Sequence, residues 1–330
     1  MPLVILFLIS LLTGSSAGNL RTFDNILKSN FEVKRISSEG NLPVDIKKDS
    51  LYILLTALHY NIPVNEISAK LNWGNEKMEG NLDLLIKNKL IGVKNGEYVP
   101  AIAIIPFERG NLLKKDAGVI AKEIADSIVS QLANLKKIHS EMEVSKTYCF
   151  KALSFFYLSN ILLDNGQINN VERDFLRQER PLRNGCRYYL AVLEKERNQI
   201  TEPYGIYGNR GLFRNGSAYI AVYGNTRTQL NKGWDNYTDK TVYEFNKEDS
   251  GKLFNEMPLC FLSSLLCILE KNRQYSEGIY RKLGFDREIS FEEFFIWWYH
   301  FIYTETTDIL IRKGLIQKPE NGLLYYKLNS

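Results

Sequence analysis

A chain of 330 residues is long enough for two or three domains, and its 45% apolar and 24% charged residues are typical of an ordinary globular protein. The formal net charge of +4 is too small to indicate nucleic-acid binding by itself. Composition therefore predicts a folded protein and excludes an assignment to nucleic acid on charge alone.

The N-terminus has the pattern of an export signal. Residues 3–12 are almost wholly apolar, and residues 13–18 are mostly small, with Ser15 and Ala17 placed for cleavage after Ala17. No Lys or Arg precedes the apolar run, so a buried N-terminal helix is the alternative interpretation. We expect a signal peptide over residues 1–17, an extracytoplasmic location (periplasm or secreted) and no integral membrane segment after signal removal. The alternative location is the cytoplasm.

One sequence pattern occurs near both ends of the chain. Residues 83–91 and 308–316 each contain an acidic residue, three aliphatic residues, a cation, two polar or small residues and two aliphatic residues. Each copy is followed by an Asn-Gly dipeptide, at positions 95–96 and 321–322. A helix that ends and enters a β-hairpin produces this pattern, and two further helices are predicted upstream of each copy.

Three helices followed by a hairpin resemble the winged-helix (winged helix-turn-helix) fold, here in two copies and matching no particular family. The resemblance implies a helix-rich α+β protein in which two winged-helix-like modules flank a helical plus antiparallel-sheet centre. The boundaries that it implies are residues 50–107 for the first module, 108–255 for the centre and 256–328 for the second module. It also implies that Leu85 matches Leu310 and Leu90 matches Leu315, all four being buried.

The centre is predicted to begin with helices and to continue into strands. Ile120, Ile124, Ile128 and Leu132 recur every four residues, which predicts one apolar helix stripe. The apolar run 150–163 predicts a buried helix that ends at a turn over residues 164–166. Residues 188–193 and 218–223 predict strands of an antiparallel sheet packed on these helices, and residues 19–49 are interpreted as a polar lead-in.

Arginine is concentrated in the centre. Residues 170–230 contain nine Arg and one Lys against six acidic residues, so this segment carries the whole excess charge. The spacing of Arg173, Arg177 and Arg180 predicts one shared helix face, and guanidinium groups beside tyrosine rings suit phosphates and carboxylates. The predicted ligand-binding residues are Arg173, Arg177, Arg180, Arg183, Arg187, Tyr207, Arg210 and Arg214. The alternative is that the arginines pair locally with Glu172, Asp174 and Glu179.

A DNA-binding function is the alternative from a different class. Winged helices that read DNA place their third helix in the major groove and use Arg, Lys, Asn or Gln there. The candidates in the first module are Lys77, Asn81, Lys87 and Lys94. Acidic residues balance the lysines of this third helix, and over residues 288–313 of the second module they outnumber the cations. The charge pattern therefore favours a structural or protein-contact role for the second module.

Residues that could carry catalysis or bind a metal are sparse. The three histidines, His59, His139 and His300, occur without HExxH, GxSxG, P-loop or dinucleotide-binding motifs. The four cysteines have no CxxC spacing, and we interpret them as small core residues. We therefore expect no catalytic residues, no metal and no cofactor.

Two functions from different classes agree with these patterns. The first is a non-enzymatic, exported binding protein, with winged-helix modules as scaffold and the Arg/Tyr-rich centre contacting an anionic ligand or a protein partner. The second is a cytoplasmic DNA-binding protein, a transcriptional regulator or replication initiator with paired winged helices. The signal-like N-terminus and the acidic second module favour the first. The identity of the ligand, the oxidation state of the cysteines and the oligomeric state, including a homo-oligomer, are left open.

Overall fold

A computed structural model describes residues 21–37, 43–197, 208–212, 218–223 and 241–329 of the chain. The fold is helix-rich α+β, as predicted. The predicted signal peptide over residues 1–17 lies outside the described residues.

Helices make up most of the described chain. The α-helices are α1 (Phe23–Leu27), α2 (Leu51–His59), α3 (Val64–Leu71), α4 (Asn75–Lys87), α5 (Phe107–Ser140), α6 (Ile168–Asp174), α7 (Lys247–Gly251), α8 (Met257–Lys271), α9 (Arg273–Lys282) and α10 (Phe291–Arg312). Two π-helical segments are Phe156–Asp164 and Lys252–Glu256. Short 3₁₀ turns are Lys48–Ser50, Glu143–Lys146, Phe285–Arg287 and Glu320–Gly322.

The described strands form three sheets. They are β1 (Ser29–Ser37), β2 (Ile91–Lys94), β3 (Glu97–Pro100), β4 (Ala103–Ile105), β5 (Leu182–Arg183), β6 (Cys186–Arg197), β7 (Gly208–Leu212), β8 (Ala218–Val222), β9 (Val242–Phe245) and β10 (Leu323–Leu328). The first sheet has the order β1-β6-β4, with β5 beside β6; the second has the order β7-β8-β10-β9; β2 and β3 form a separate hairpin. Strand β6 is antiparallel to β1 and parallel to β4.

Strand β6 separates two hydrophobic cores. On one face, Tyr189, Ala191 and Leu193 pack into a core built from α5, the first π-helical segment, α8 and α10. On the other face, the alternate residues Tyr188, Leu190 and Val192 pack into a core built from α1 to α4. Side chains of a strand alternate between its faces, so each core takes every second residue. A strand buried on both faces reads as a continuous apolar run, as residues 188–193 do.

The helices of the larger core follow their apolar periodicity. Ile120, Ile124 and Ile128 of α5 are fully buried and Leu132 packs against the same core, as the stripe predicts. The helix predicted over 150–163 begins later than expected, because residues 150–153 form a turn; the buried π-helical segment Phe156–Asp164 follows and ends before the turn at residues 165–167. Gly166 is required there, because a Cβ atom would lie 2.4 Å from the Ile161 carbonyl oxygen.

The N-terminal unit, residues 51–100, has the order of elements that the first copy of the pattern predicts. Helices α2, α3 and α4 are followed by the hairpin of β2 and β3, whose loop is Asn95-Gly96. Asn95 has φ of 53° and Gly96 has φ of 81°, the positive values that a tight two-residue hairpin turn requires. Leu85 and Leu90 are fully buried, as expected.

The hairpin predicted after the second copy is wrong. Helices α8, α9 and α10 are present, but residues 313–329 contain the single strand β10, which pairs with β8 and β9 from the centre of the chain. Strand β8 therefore occupies the place that a second hairpin strand would take. Leu310 is fully buried, whereas Leu315 is only partly buried. Residues 292–304 of α10 are all buried, since a helix that is apolar all round belongs inside a core.

Two further expectations about the centre need correction. The strands predicted over 188–193 and 218–223 exist, but they lie in different sheets, as β6 and β8, and both sheets are mixed rather than antiparallel. The interpretation of residues 19–49 as a polar lead-in was incomplete, because α1 and β1 lie within it. Strand β1 is stabilised by pairing with β6, a long-range contact that local sequence does not report.

All four cysteines are free thiols. The interpretation as core residues is wrong for Cys149 and Cys267, which are exposed, whereas Cys186 and Cys260 are half-buried and pack against the smaller and the larger core, respectively.

One helix in the described part of the chain, Lys247–Lys271, is long and apolar enough to cross a membrane by length and composition. It comprises α7, the second π-helical segment and α8. A helix packed in a protein core passes the same test, and α8 packs against α5, so the finding assigns no membrane span.

A buried ion pair lies at one end of β6. The guanidinium of Arg21 donates to both carboxylate oxygens of Glu194, at 2.9 and 2.6 Å, and to the Tyr60 hydroxyl at 3.2 Å. Glu194 also accepts a hydrogen bond of 2.8 Å from the backbone N–H of Phe107, at the start of α5. One carboxylate therefore joins the N-terminal segment, β6 and the positive end of the longest helix described.

Replacing Glu194 with Gln should destabilise the protein by about 3 kcal/mol, because it leaves the Arg21 guanidinium buried without a counter-charge. Urea unfolding followed by circular dichroism measures this. Asp24→Asn is the matched control, since it breaks the exposed Lys70–Asp24 pair and should have little effect. Equal effects of the two substitutions would contradict the assignment.

Candidate functional site

The arginines of the centre lie beside acidic residues. Helix α6 ends at Asp174, so Arg177 and Arg180 lie beyond it, and the helix face predicted for Arg173, Arg177 and Arg180 does not exist. Arg173 pairs with Asp174 at 2.5 Å, Arg177 with Glu270 at 3.9 Å, Arg180 with Glu172 at 2.7 Å and Arg187 with Glu179 at 2.8 Å. Three of these four pairs are the local pairings that the sequence left as its alternative.

Three other predicted ligand residues have no described side chain. Tyr207 and Arg214 lie outside the described residues, and Arg210 is described only by its backbone, in β7. Their predicted approach to Arg173 and Arg177 therefore stays a prediction.

Arg183 is buried and joins three elements. It donates to the Tyr188 carbonyl of β6 at 2.7 Å, to the Ala101 carbonyl at 2.6 Å and to both carboxylate oxygens of Glu293 in α10, at 3.0 and 2.7 Å. Its side chain is 3% exposed and that of Glu293 is 2% exposed. Burial raises the pKa of Glu293 even against the attraction of Arg183. This pair holds the first turn of α10 against β6 and leaves little guanidinium surface for a ligand.

A cleft lies above this buried pair, between the N-terminal unit and the start of α10. Its volume is about 360 Å³. Lys89, in the turn after α4, and Lys94, in β2, line one wall. Gln178, Glu179, Pro181, Leu182 and Arg183 line a second wall, Glu288, Ile289, Ser290 and Glu293 line a third, and Ala101 also contributes. We call this space the junction cleft.

The charges that line the junction cleft do not balance once their pairs are counted. Each acidic residue of the lining has an arginine partner, because Glu293 pairs with Arg183, Glu179 with Arg187 and Glu288 with Arg109. Neither Lys89 nor Lys94 forms an ion pair with another described residue, although the Lys94 ammonium donates to the Arg287 carbonyl at 2.5 Å. Two exposed lysine charges therefore remain uncompensated in the cleft.

A second buried cluster lies behind the cleft. One oxygen of Glu288 accepts a hydrogen bond from Arg109 of α5 at 2.8 Å, and the other contacts the Nδ1 atom of His59 at the end of α2. The Arg109 guanidinium also lies over the Phe285 ring, 4.1 Å from its centroid. Burial lowers the pKa of His59, and nearby Arg109 and Arg287 lower it further against the attraction of Glu288, so the imidazole is neutral at pH 7.

The carboxyl group of Glu288 stays ionised. Burial by itself opposes ionisation, but the Arg109 charge and the hydrogen bonds that Glu288 accepts from Arg109 and His59 lower the pKa of Glu288. The cluster thus consists of one carboxylate balanced by one guanidinium and oriented against a neutral imidazole.

The residues predicted for DNA binding have mixed environments. Lys77 lies 3.4 Å from Asp49 and over the Trp73 ring, while Lys87 is exposed. The Asn81 side-chain nitrogen is buried without a hydrogen-bond partner among the described residues. Lys94 lines the junction cleft, and its ammonium group donates to the Arg287 carbonyl. The exposed face of α4 therefore does not gather these four side chains into one basic surface.

Sequence reasoning missed Lys89, Arg109, Glu288 and Glu293. One local signal was available, because Ser290 followed three residues later by Glu293 is a helix-start signature. Ser290 does cap α10 by accepting from the Glu293 backbone N–H at 3.2 Å, but the Glu293 carboxylate turns to Arg183. The other contacts join residues more than 100 positions apart, as in the Arg109–Glu288 and His59–Glu288 pairs, and no local pattern reports them.

Comparison with known proteins finds no protein-family model that matches the chain, no curated protein that matches its sequence and no solved structure that matches its fold. Within the described ranges, no group of three or more His, Cys, Asp or Glu side chains could hold a metal ion. The junction cleft is therefore the candidate functional site.

Replacing Arg183 with Met should destabilise the protein by about 3–5 kcal/mol, since it leaves the Glu293 carboxyl buried and unpaired. The double variant R183M/E293M should recover part of that loss because it removes both charges. Urea unfolding of the single and double variants measures the effect, with Arg173→Met as the exposed control. A single variant as stable as the control would rule out a structural role for the pair.

Proposed function

We propose that the protein is a non-enzymatic binding protein that takes a small anionic ligand in the junction cleft. The observation that carries this proposal is the charge balance of the lining. Every acidic side chain there already has an arginine partner, whereas Lys89 and Lys94 have none among the described residues. An anion would neutralise these two ammonium groups without competing for an existing ion pair.

The size and polarity of the cleft limit the ligand. About 360 Å³ lies at the small end of the range for small-molecule pockets. Leu182 and Ile289 add apolar surface, while the lysines supply point charges with rotatable donors. These features favour a small organic acid or phosphate ester whose acidic group contacts the lysines and whose carbon atoms contact the apolar wall.

The proposed function is the non-enzymatic binding protein that the sequence favours, but its anion site is the junction cleft instead of the Arg/Tyr-rich surface. The expected export over residues 1–17 is part of the same proposal, as is the role of the helical units as scaffold. The predicted Arg/Tyr surface stays an untested alternative site. DNA binding through α4 is less favoured because Lys77 and Lys87 share that helix with Glu76, Glu79 and Asp83.

Isothermal titration calorimetry at low salt tests the proposal with inorganic phosphate, succinate and citrate as probes. We expect saturable binding of at least one probe. Replacing Lys89 or Lys94 with Ala should weaken that binding by about 10- to 100-fold, because each removes a charge-assisted hydrogen bond of roughly 1.5–3 kcal/mol.

Lys87→Ala is the matched control, since Lys87 is an exposed lysine two residues before Lys89 that does not line the cleft. An equal loss in K87A and K89A would show non-specific charge attraction, and no saturable binding to any probe would reject the proposed site. Filter binding of duplex DNA by K77A and K87A examines the alternative, which predicts that these variants lose affinity.

A further inference from the structure

A set of polar contacts joins the N-terminal unit to the turn between α9 and α10, residues 283–290. The His59 ring contacts Glu288, the Asn61 side-chain oxygen accepts from Arg287 at 3.1 Å, and the Lys94 ammonium donates to the Arg287 carbonyl at 2.5 Å. Together these contacts connect the N-terminal unit to the α9–α10 turn beside the junction cleft. We call them the junction contacts.

Only one of the junction contacts involves a group that titrates near neutral pH. Lysine and arginine remain charged throughout that range. An ordinary histidine has a pKa of about 6.5, so His59 is the group whose charge mild acid can change.

The surroundings of His59 favour its neutral form while the junction is closed. Glu288 carries one negative charge, and Arg109 of α5 already balances it at 2.8 Å. Arg287 adds a second positive charge from the α9–α10 turn. The ring also packs edge-on against Tyr60 of the same chain segment, whose hydroxyl accepts from Arg21, itself paired with Glu194. A proton on His59 would therefore give this buried cluster a net positive charge, because Arg109 already balances Glu288.

We propose that protonation of His59 opens the junction, so that mild acid separates the N-terminal unit from the α9–α10 turn. In the open arrangement water reaches the imidazole, and it recovers its ordinary proton affinity. Protons then bind the open form more tightly than the closed form. Linkage shifts the equilibrium toward the open form by up to about tenfold per pH unit as the pH falls below about 6.5.

Burial determines how the stability of the closed junction depends on pH. Because burial lowers the pKa of His59 in the closed form, the contribution of neutral His59 to the stability of that form is complete above about pH 6.5. The contribution is lost as the pH falls from 6.5 toward the lowered pKa. Glu288 stays ionised over this range because its own pKa is lowered. Since Lys94 and Glu288 line opposite walls of the junction cleft, opening also separates those walls. The proposal itself does not depend on the anion site.

Two other buried histidines make a control necessary. His139 is in α5, with its Nδ1 atom 3.0 Å from the Tyr157 hydroxyl, and His300 is in α10, where burial lowers its pKa to about 4. Acid can therefore disturb the larger core independently of the junction. The substitution His59→Asn keeps a nitrogen donor near the Nδ1 position and removes the titration, and His139→Asn is its matched control.

Hydrogen exchange measured by mass spectrometry tests the proposal on the ligand-free protein at pH 7.5 and pH 5.5, with rates corrected for intrinsic exchange. We expect several-fold faster exchange at pH 5.5 in peptides covering residues 88–97 and 283–290 of the wild type and of H139N. H59N should show no such change. A wild type without the acid response, or an H59N variant that retains it, would overturn the proposal.

A second measurement covers the case in which H59N fails to fold. Wild-type protein with ¹³C-labelled histidine gives three ring signals, because the chain has three histidines. H139N identifies one signal, and His300 stays neutral above pH 5 because its pKa is about 4. The remaining signal, His59, should have its midpoint below 6.5 and should change together with the exchange rates. A midpoint at or above 6.5 would overturn the proposal.

Discussion

The burial of both faces of β6 is the constraint on which the rest of the structure depends. Its alternate residues fill two different cores, and two of the strands that pair with it, β1 and β4, come from the N-terminal third of the chain. A shift of one residue in register would exchange the side chains of the two cores, replacing Tyr188, Leu190 and Val192 with Tyr189, Ala191 and Leu193. The two sets differ in side-chain size, most clearly between Leu190 and Ala191, so packing in both cores fixes the register of β6.

Buried ion pairs fasten helices to this strand. At one end, Arg21 and Glu194 connect β6 to the start of α5, and at the other, Arg183 connects the β6 backbone to Glu293 in the first turn of α10. Such pairs cost desolvation free energy and are weak evidence for net stability, but the loss of one partner is expensive. Each pair therefore fixes the position of one helix end relative to the strand, because its hydrogen bonds form in only one arrangement.

The charge of the junction cleft depends on which cations of the chain are held in ion pairs and which line the cleft. Four arginines of the centre, Arg173, Arg180, Arg183 and Arg187, form ion pairs with Asp174, Glu172, Glu293 and Glu179, and the excess positive charge of the cleft lies on Lys89 and Lys94. Guanidinium groups suit buried bidentate pairs, whereas exposed ammonium groups keep their hydration and remain open to exchange with an anion. Behind the cleft, the Glu288 carboxylate contacts His59 and Arg109, so one residue both lines the cleft and joins its wall to the N-terminal unit.

The sequence by itself determined the helix-rich α+β class, the three helices and Asn95-Gly96 hairpin of the N-terminal unit, the apolar stripe of α5 and the strand at residues 188–193. Each depends on local periodicity or turn chemistry, which neighbouring residues report. Only the tertiary structure decided that β10 pairs with β8 and β9 instead of forming a second hairpin, that β1 exists, and that Glu288 meets His59 and Arg109. These features depend on contacts between residues far apart in the chain, whose free energy comes from burial and charge pairing and leaves no periodic trace in the sequence.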